Sequence, residues 1–364
     1  MIYEYSPLDL LPYLLLFAIL LFLYSKKDSK HETYYLIAIV LFVFSAIRYS
    51  TGWDYYGYLN DIIYNDTDRY EFLVKELIKF AHNTDYKTFF AITSFLVIFP
   101  LSIGCKKISR DPELSLIVYA LVPQFYVYSF SVIRNAVAWS FIFCAYALFR
   151  EKRYFYTVLL FIASLGFHIS VLVSLPIFIL SLLKIGKRVN YLIFLLSFLL
   201  SSMFGEYIER LTFEDTYFSR MVFYVDGKSS GGGMMKWAIN FIGLFFLLQW
   251  DRISIKRREN AKLLTIVIVG VSLWNLFYGI NNTLAIRFSV SYMLFLILLV
   301  PELLYCYERI SRKMIMTMII TFFFMFSASS FYINIVGNLA NNGKMSQLPY
   351  LTIFNPIDYN NIVY

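Results

Sequence analysis

The chain has 364 residues, of which 59% are hydrophobic and 15% charged, with mean hydropathy +0.63 and formal net charge +8. A soluble domain carries nearer a quarter charged residues, so composition excludes an ordinary soluble protein and points to an integral membrane protein. The apolar runs are long enough to span as helices, and no alternating pattern suggests a β-barrel.

In chain order, an all-α polytopic fold of about twelve transmembrane helices is expected, over roughly 10–24, 33–47, 88–104, 114–128, 132–149, 154–165, 169–183, 189–204, 236–250, 261–279, 286–304 and 314–335. The first run follows Glu4 and Asp9 without a basic leader or a small-residue cleavage site, which reads as a span with its N-terminus outside. The stretch 154–183 reads as two short helices with a turn at Gly166-Phe167-His168.

Alternate connections are short and basic: KKDSK, KKISRDPE, REKR, KIGKR, DRISIKRREN and ERISRK. Placing them in the cytoplasm gives a charge of roughly +11 inside and −3 outside, so the basic excess reflects topology and no nucleic-acid surface is needed to explain it. The whole, 1–364, reads as a single membrane domain. Three outer segments stand out: 48–87, 205–235 and the tail 336–364. Within the first, Tyr70, Leu73, Leu77, Ile78 and Ala81 share a helical face, as in an amphipathic interfacial helix. The second ends in SSGGG, a flexible tether. No internal repeat is evident, which weighs slightly against a transporter.

Three arginines sit where the positive-inside rule predicts few. Arg48 closes the run YLIAIVLFVFSAIR, Arg134 opens VIRNAVAWSFIFCAYALF and Arg287 opens IRFSVSYMLFLILL. A guanidinium there is costly without an anionic partner, so an anion bound from outside is expected; snorkelling to lipid headgroups is the alternative. Planar guanidinium suits bidentate phosphate contacts. Arg210 and Arg220 read as solvated loop residues.

Arg48 begins a block, Tyr49-Ser50-Thr51-Gly52-Trp53-Asp54-Tyr55-Tyr56-Gly57-Tyr58, that sets a carboxylate among aromatic rings. Rings stack on sugar C–H faces while charged groups bond hydroxyls; an interfacial aromatic belt is the other reading. His168 is the one histidine inside an apolar run and suits proton transfer near neutrality, or a structural hydrogen bond in a helix turn. His31 and His82 carry no signal. Cys105, Cys144 and Cys306 read as core residues. With no metal-ligand cluster or cofactor motif in the sequence, any phosphate charge falls to arginine.

The block Arg48…Gly52-Trp53-Asp54-Tyr55…Tyr58 resembles the R-x-x-x-G-x-D-Y-x-x-Y signature of the EpsG-like branch of Wzy-type polysaccharide polymerases. Ser131-Val132-Ile133-Arg134-Asn135-Ala136 resembles that family's second block, with Asn135 where Gln is usual. Gly166-Phe167-His168-Ile169-Ser170 resembles the third. The similarity extends over roughly residues 10–300 in this reading.

The resemblance implies a GT-C-like, cofactor-free and metal-free glycosyltransferase of the bacterial inner membrane with its site facing the periplasm. It would join undecaprenyl-pyrophosphate-linked oligosaccharides at the non-reducing end, making O-antigen or exopolysaccharide. A chain-length regulator protein is a further partner for such an enzyme. On that basis Arg134, His168 and Asp54 are the catalytic candidates, with His168 or Asp54 as base and His168 slightly preferred. Arg48, Arg287, Gly52, Trp53, Tyr55, Tyr58 and Asn135 are the substrate-binding candidates. An O-antigen ligase and a lipid-linked oligosaccharide flippase remain open alternatives.

Overall fold

The computed structural model describes residues 6–27, 32–201, 203, 233–278, 280, 282–340 and 347–354. These divide into two compact units, one built from residues up to Ile169 and from Met316 onward, the other from Ser170–Ile315.

The first unit contains α1 (Leu11–Ser25), α2 (Glu32–Ala46), β1 (Arg48–Tyr49), α3 (Tyr55–Tyr64), α4 (Phe72–Asn83), α5 (Tyr86–Ile108), α6 (Pro112–Leu121), α7 (Ile133–Arg150) and α8 (Tyr154–Phe167). The helices begin where the sequence supplies caps. Asp85 accepts from the Lys87 amide ahead of α5, and Asp111 accepts from Leu114 ahead of α6, whose first residue is Pro112. Helix α6 ends at Leu121, short of the expected 128, because Pro123 follows and residues 123–127 form turns.

The second unit contains α9 (Pro176–Leu182), α10 (Lys187–Leu199), α11 (Gly233–Leu248), α12 (Trp250–Lys256), α13 (Arg258–Tyr278), α14 (Asn282–Met293) and α15 (Leu296–Leu304). A 3-10 turn, Ile169–Ser174, precedes α9 in place of the continuous helix expected over 169–183. Helix α16 (Arg309–Ala340) carries the chain back to the first unit. In the second unit a buried amide pair ties three helices. Asn240 and Asn275 donate to each other at 2.8 Å, and Asn275 also donates to Ser197 at 3.3 Å. Polar groups at membrane depth need partners of this kind.

Among the described residues the expected apolar runs are largely helical. Among the described residues, four helices are long and apolar enough to cross a membrane: Pro7–Ser25, Tyr86–Ile108, Glu259–Tyr278 and Arg309–Ile333. Two bent pairs, α11 with α12 and α14 with α15, bring the number to six if each is one span. Glu32–Ala46, Pro112–Leu121, Tyr154–Phe167 and Ile169–Leu182 are apolar but shorter. Large side chains such as Phe22, Phe155 and Leu182 are exposed along these helices, as lipid-facing positions require. The chain is a multi-pass helical membrane protein.

The tail, expected to be a polar outer segment, contributes β2 (Leu351–Thr352), which pairs antiparallel with β1: Arg48 faces Thr352 and Tyr49 faces Leu351. Tyr350 stacks on Phe44 at 4.1 Å, and Gln347 donates to Ser131 at 2.9 Å and accepts at its carbonyl from Tyr13 at 2.6 Å. The loop 205–235, except for the start of α11, lies outside the described residues.

Candidate active site

The site is assembled in the first unit from the three sequence blocks and one residue outside them. After α2 and β1, the chain turns through Ser50 and Gly52, both with positive φ, at 52° and 105°. A Cβ on Gly52 would lie 2.2 Å from the Phe130 carbonyl oxygen, so only glycine fits this approach. The turn docks on the segment before α7, where the Trp53 amide donates to Ser131 Oγ at 3.1 Å. The first block is thereby seated against the second. Trp53 and Asp54 are half-buried, and Asp54 occupies the N-cap position of α3.

Arg134 lies in the first turn of α7, with its guanidinium 4.9 Å from the Tyr70 ring centroid. Tyr70 stacks on Tyr58, and its hydroxyl bonds Asp61, which also pairs with Arg69. Burial pushes the Tyr58 phenol up from its ordinary range; the Arg134 charge acts downward on it and the Asp54 charge upward. Arg134, Tyr58 and Asp54 are therefore electrostatic neighbours.

His168 caps the C-terminal end of α8 in extended backbone, at the expected turn, with its amide bonded to the Ser164 carbonyl at 3.0 Å. Its Nδ1 lies 2.7 Å from Glu71 Oε1, and Arg134 lies 2.7 Å from Glu71 Oε2. The Ile169 amide donates to Oε1 at 3.3 Å. Side-chain exposures of 25% for Arg134, 19% for Glu71 and 12% for His168 leave each group partly accessible. Burial alone would raise the Glu71 carboxyl; the His168 hydrogen bond and the Arg134 charge outweigh it and hold it down at about 2.

Glu71 was not legible as a site residue. It is the N-cap residue of α4, and its partners lie 63 and 97 positions along the chain. The available signal was its place just before an amphipathic helix in the segment 48–87, which also carries an arginine block. That helix is present, but its buried face is Val74, Ile78 and Ala81, with Leu73 and Leu77 only half-buried. Tyr70 is buried just ahead of it. The helix seats on α8 through Gly166, where a Cβ would meet Leu73 Cγ and Cδ1 at 2.8 Å. That close approach sets Glu71 beside His168.

Other expected site residues sit differently. Arg48 is 3% exposed, between the Phe90 and Phe130 rings at 5.3 and 4.9 Å, and donates to the Ser45 carbonyl and to Ser94 Oγ at 2.9 Å. It is a core cation, where an outward-facing one was expected. Tyr55 is fully buried and stacked on Phe90 at 4.2 Å, and Tyr58 is buried too, so neither ring faces an open groove. Asn135 is buried in α7. Arg287 belongs to the second unit, half-buried in α14. Among the described residues, no three His, Cys, Asp or Glu side chains gather as a metal site requires. Cys105 and Cys144 are buried and Cys306 half-buried.

Fold and site thus define a multi-pass helical membrane protein in which a guanidinium and an imidazole from different helices meet on one carboxylate. A sequence model described as the EpsG family matches residues 31–352, and the chain belongs to that family. The match runs past the expected limit of about 300 and takes in β2. No curated protein and no solved structure matches the chain. Family membership implies a membrane-bound polysaccharide polymerase of the glycosyltransferase type.

Proposed function

We propose that the chain joins lipid-linked repeat units into O-antigen or exopolysaccharide, at the outer face of the bacterial inner membrane, within a twelve-span, GT-C-like frame. The donor glycan leaves undecaprenyl pyrophosphate and is transferred to a hydroxyl at the non-reducing end of a second lipid-linked unit. The bond from the anomeric carbon to the pyrophosphate oxygen breaks as the bond to the acceptor oxygen forms, and the acceptor proton goes to a base.

In this reading Arg134 meets the negative charge that grows on the leaving pyrophosphate, and His168 takes the proton. Half-buried Asp54 orients the acceptor, with Trp53 beside it. Arg48 packs on the ring of Phe130, whose carbonyl abuts Gly52, and makes no substrate contact in this reading. Arg287 is a further candidate for phosphate charge. The supporting observation is that Arg134 and His168, from different helices, meet on one carboxylate at ends assigned to the outer side by charge distribution. The chemistry needs no metal or nucleotide sugar in this reading, and a chain-length regulator is the expected protein partner.

Glycans from cells lacking the gene test the class. Single repeat units on the lipid A core without long chains are the expected result. Long chains accumulating on the lipid carrier would instead identify a ligase, and absence of any periplasmic repeat unit a flippase.

A further inference from the structure

The carboxylate between Arg134 and His168 has a more specific arrangement than charge compensation requires. Glu71 Oε2 takes Arg134, while Oε1 takes both His168 Nδ1 and the Ile169 amide. Three donors from two helix ends fix both oxygens, so the group has little freedom to rotate. An ionised carboxylate is an acceptor only, so the proton in the His168 contact sits on Nδ1. In a neutral imidazole, Nε2 then carries the lone pair. Nε2 makes no hydrogen bond to a described residue, and the His168 side chain is 12% exposed.

We propose that Glu71 is the positioning residue of this site, holding His168 with Nδ1–H turned inward and Nε2 presented as the proton acceptor. The assignment rests on the polymerase reading for the reaction it serves, while its geometry stands independently of that reading. The acceptor hydroxyl gives its proton to Nε2, its oxygen pair forms the new bond to the anomeric carbon, and the pyrophosphate leaves with the pair from the broken bond. Glu71 touches neither substrate. It acts through the orientation and tautomer of His168, as a carboxylate does wherever it backs a catalytic imidazole.

The experiment uses the full-length protein in lipid nanodiscs with 15N-labelled histidine. The chain has three histidines, and His168→Gln identifies the His168 signals by their loss. Wild type is expected to show the Nδ1–H tautomer at neutral pH. Glu71→Gln, whose amide can donate as well as accept, should show a mixture or the opposite tautomer. Turnover is followed in parallel with lipid-linked repeat units extracted from cells lacking the gene. Glu71→Gln should lower kcat at least about tenfold with KM little changed, and Glu71→Asp should restore part of it. A wild-type Nε2–H tautomer would overturn the proposal, as would an unchanged tautomer or full turnover in Glu71→Gln. If the wild-type protein makes no polymer while the tautomer still depends on Glu71, the polymerase reading fails and the positioning role stands.

Discussion

Arg48 has no carboxylate partner among the described residues; two ring faces, a carbonyl and a hydroxyl hold its guanidinium in the core. A planar, weakly hydrated cation tolerates that setting, and a compact ammonium does not. Arg48→Lys is therefore expected to lower Tm and turnover together. Arg134→Lys keeps the charge beside Glu71 but loses bidentate geometry, so turnover should fall severely with little change in Tm. Thermal unfolding alongside a glycan ladder separates the two, and an Arg48→Lys protein with normal Tm but no turnover would return Arg48 to the substrate. Glu71 supplies a pH signature. Its carboxyl is held at about 2 against an ordinary 4.5, so its contribution is complete above about pH 4.5 and lost as pH falls toward 2. The Tm gap between wild type and Glu71→Gln should accordingly close on acidification across that window. The three blocks named Arg134, His168 and Gly52 because charge at a membrane surface, a histidine in an apolar run and a glycine after a span are all local anomalies. Glu71 and the burial of Arg48 are set by partners far along the chain, which no local pattern carries.

At the scale of elements, the placement of Glu71 depends on how closely α4 lies on α8. Gly166 leaves no room for a side chain beside Leu73, so Gly166→Val should push the helices apart, separate Glu71 from His168 and reduce turnover. Leu73→Ala opens the same space. The double variant should recover much of what the single one loses, and coupling of this kind is what a double-mutant cycle reads. If the two substitutions add independently, α4 is not positioned through this contact. The helices themselves were readable because apolar runs end at charged or proline-marked connections. Helix α6 ended early at Pro123, a stop that the apolar run around it masks. On α4 the expected Tyr70, Ile78 and Ala81 are buried and Leu73 meets Gly166, while Val74 is a buried position that the apolar pattern did not single out.

For the whole molecule, the segment 347–354 returns across about 300 residues to close the first unit beside β1. Strand β2 pairs with β1, Tyr350 covers Phe44, and Gln347 bonds the Ser131 hydroxyl that also receives Trp53. Gln347→Ala and Tyr350→Ala should each lower Tm and weaken the ladder, since each removes a contact that ties this segment to the first unit. Detergent-extracted yield and thermal unfolding check both. Two-residue strands leave no period in the sequence, so this closure was not legible there. The membrane class was legible from composition alone.

The most direct test of the account is elongation by purified protein in nanodiscs, supplied with lipid-linked repeat units extracted from cells lacking the gene. Wild type is expected to yield a ladder of polymer on the lipid carrier, and His168→Gln only single units while keeping its Tm. A His168→Gln protein that polymerises as wild type does would contradict the site proposed here.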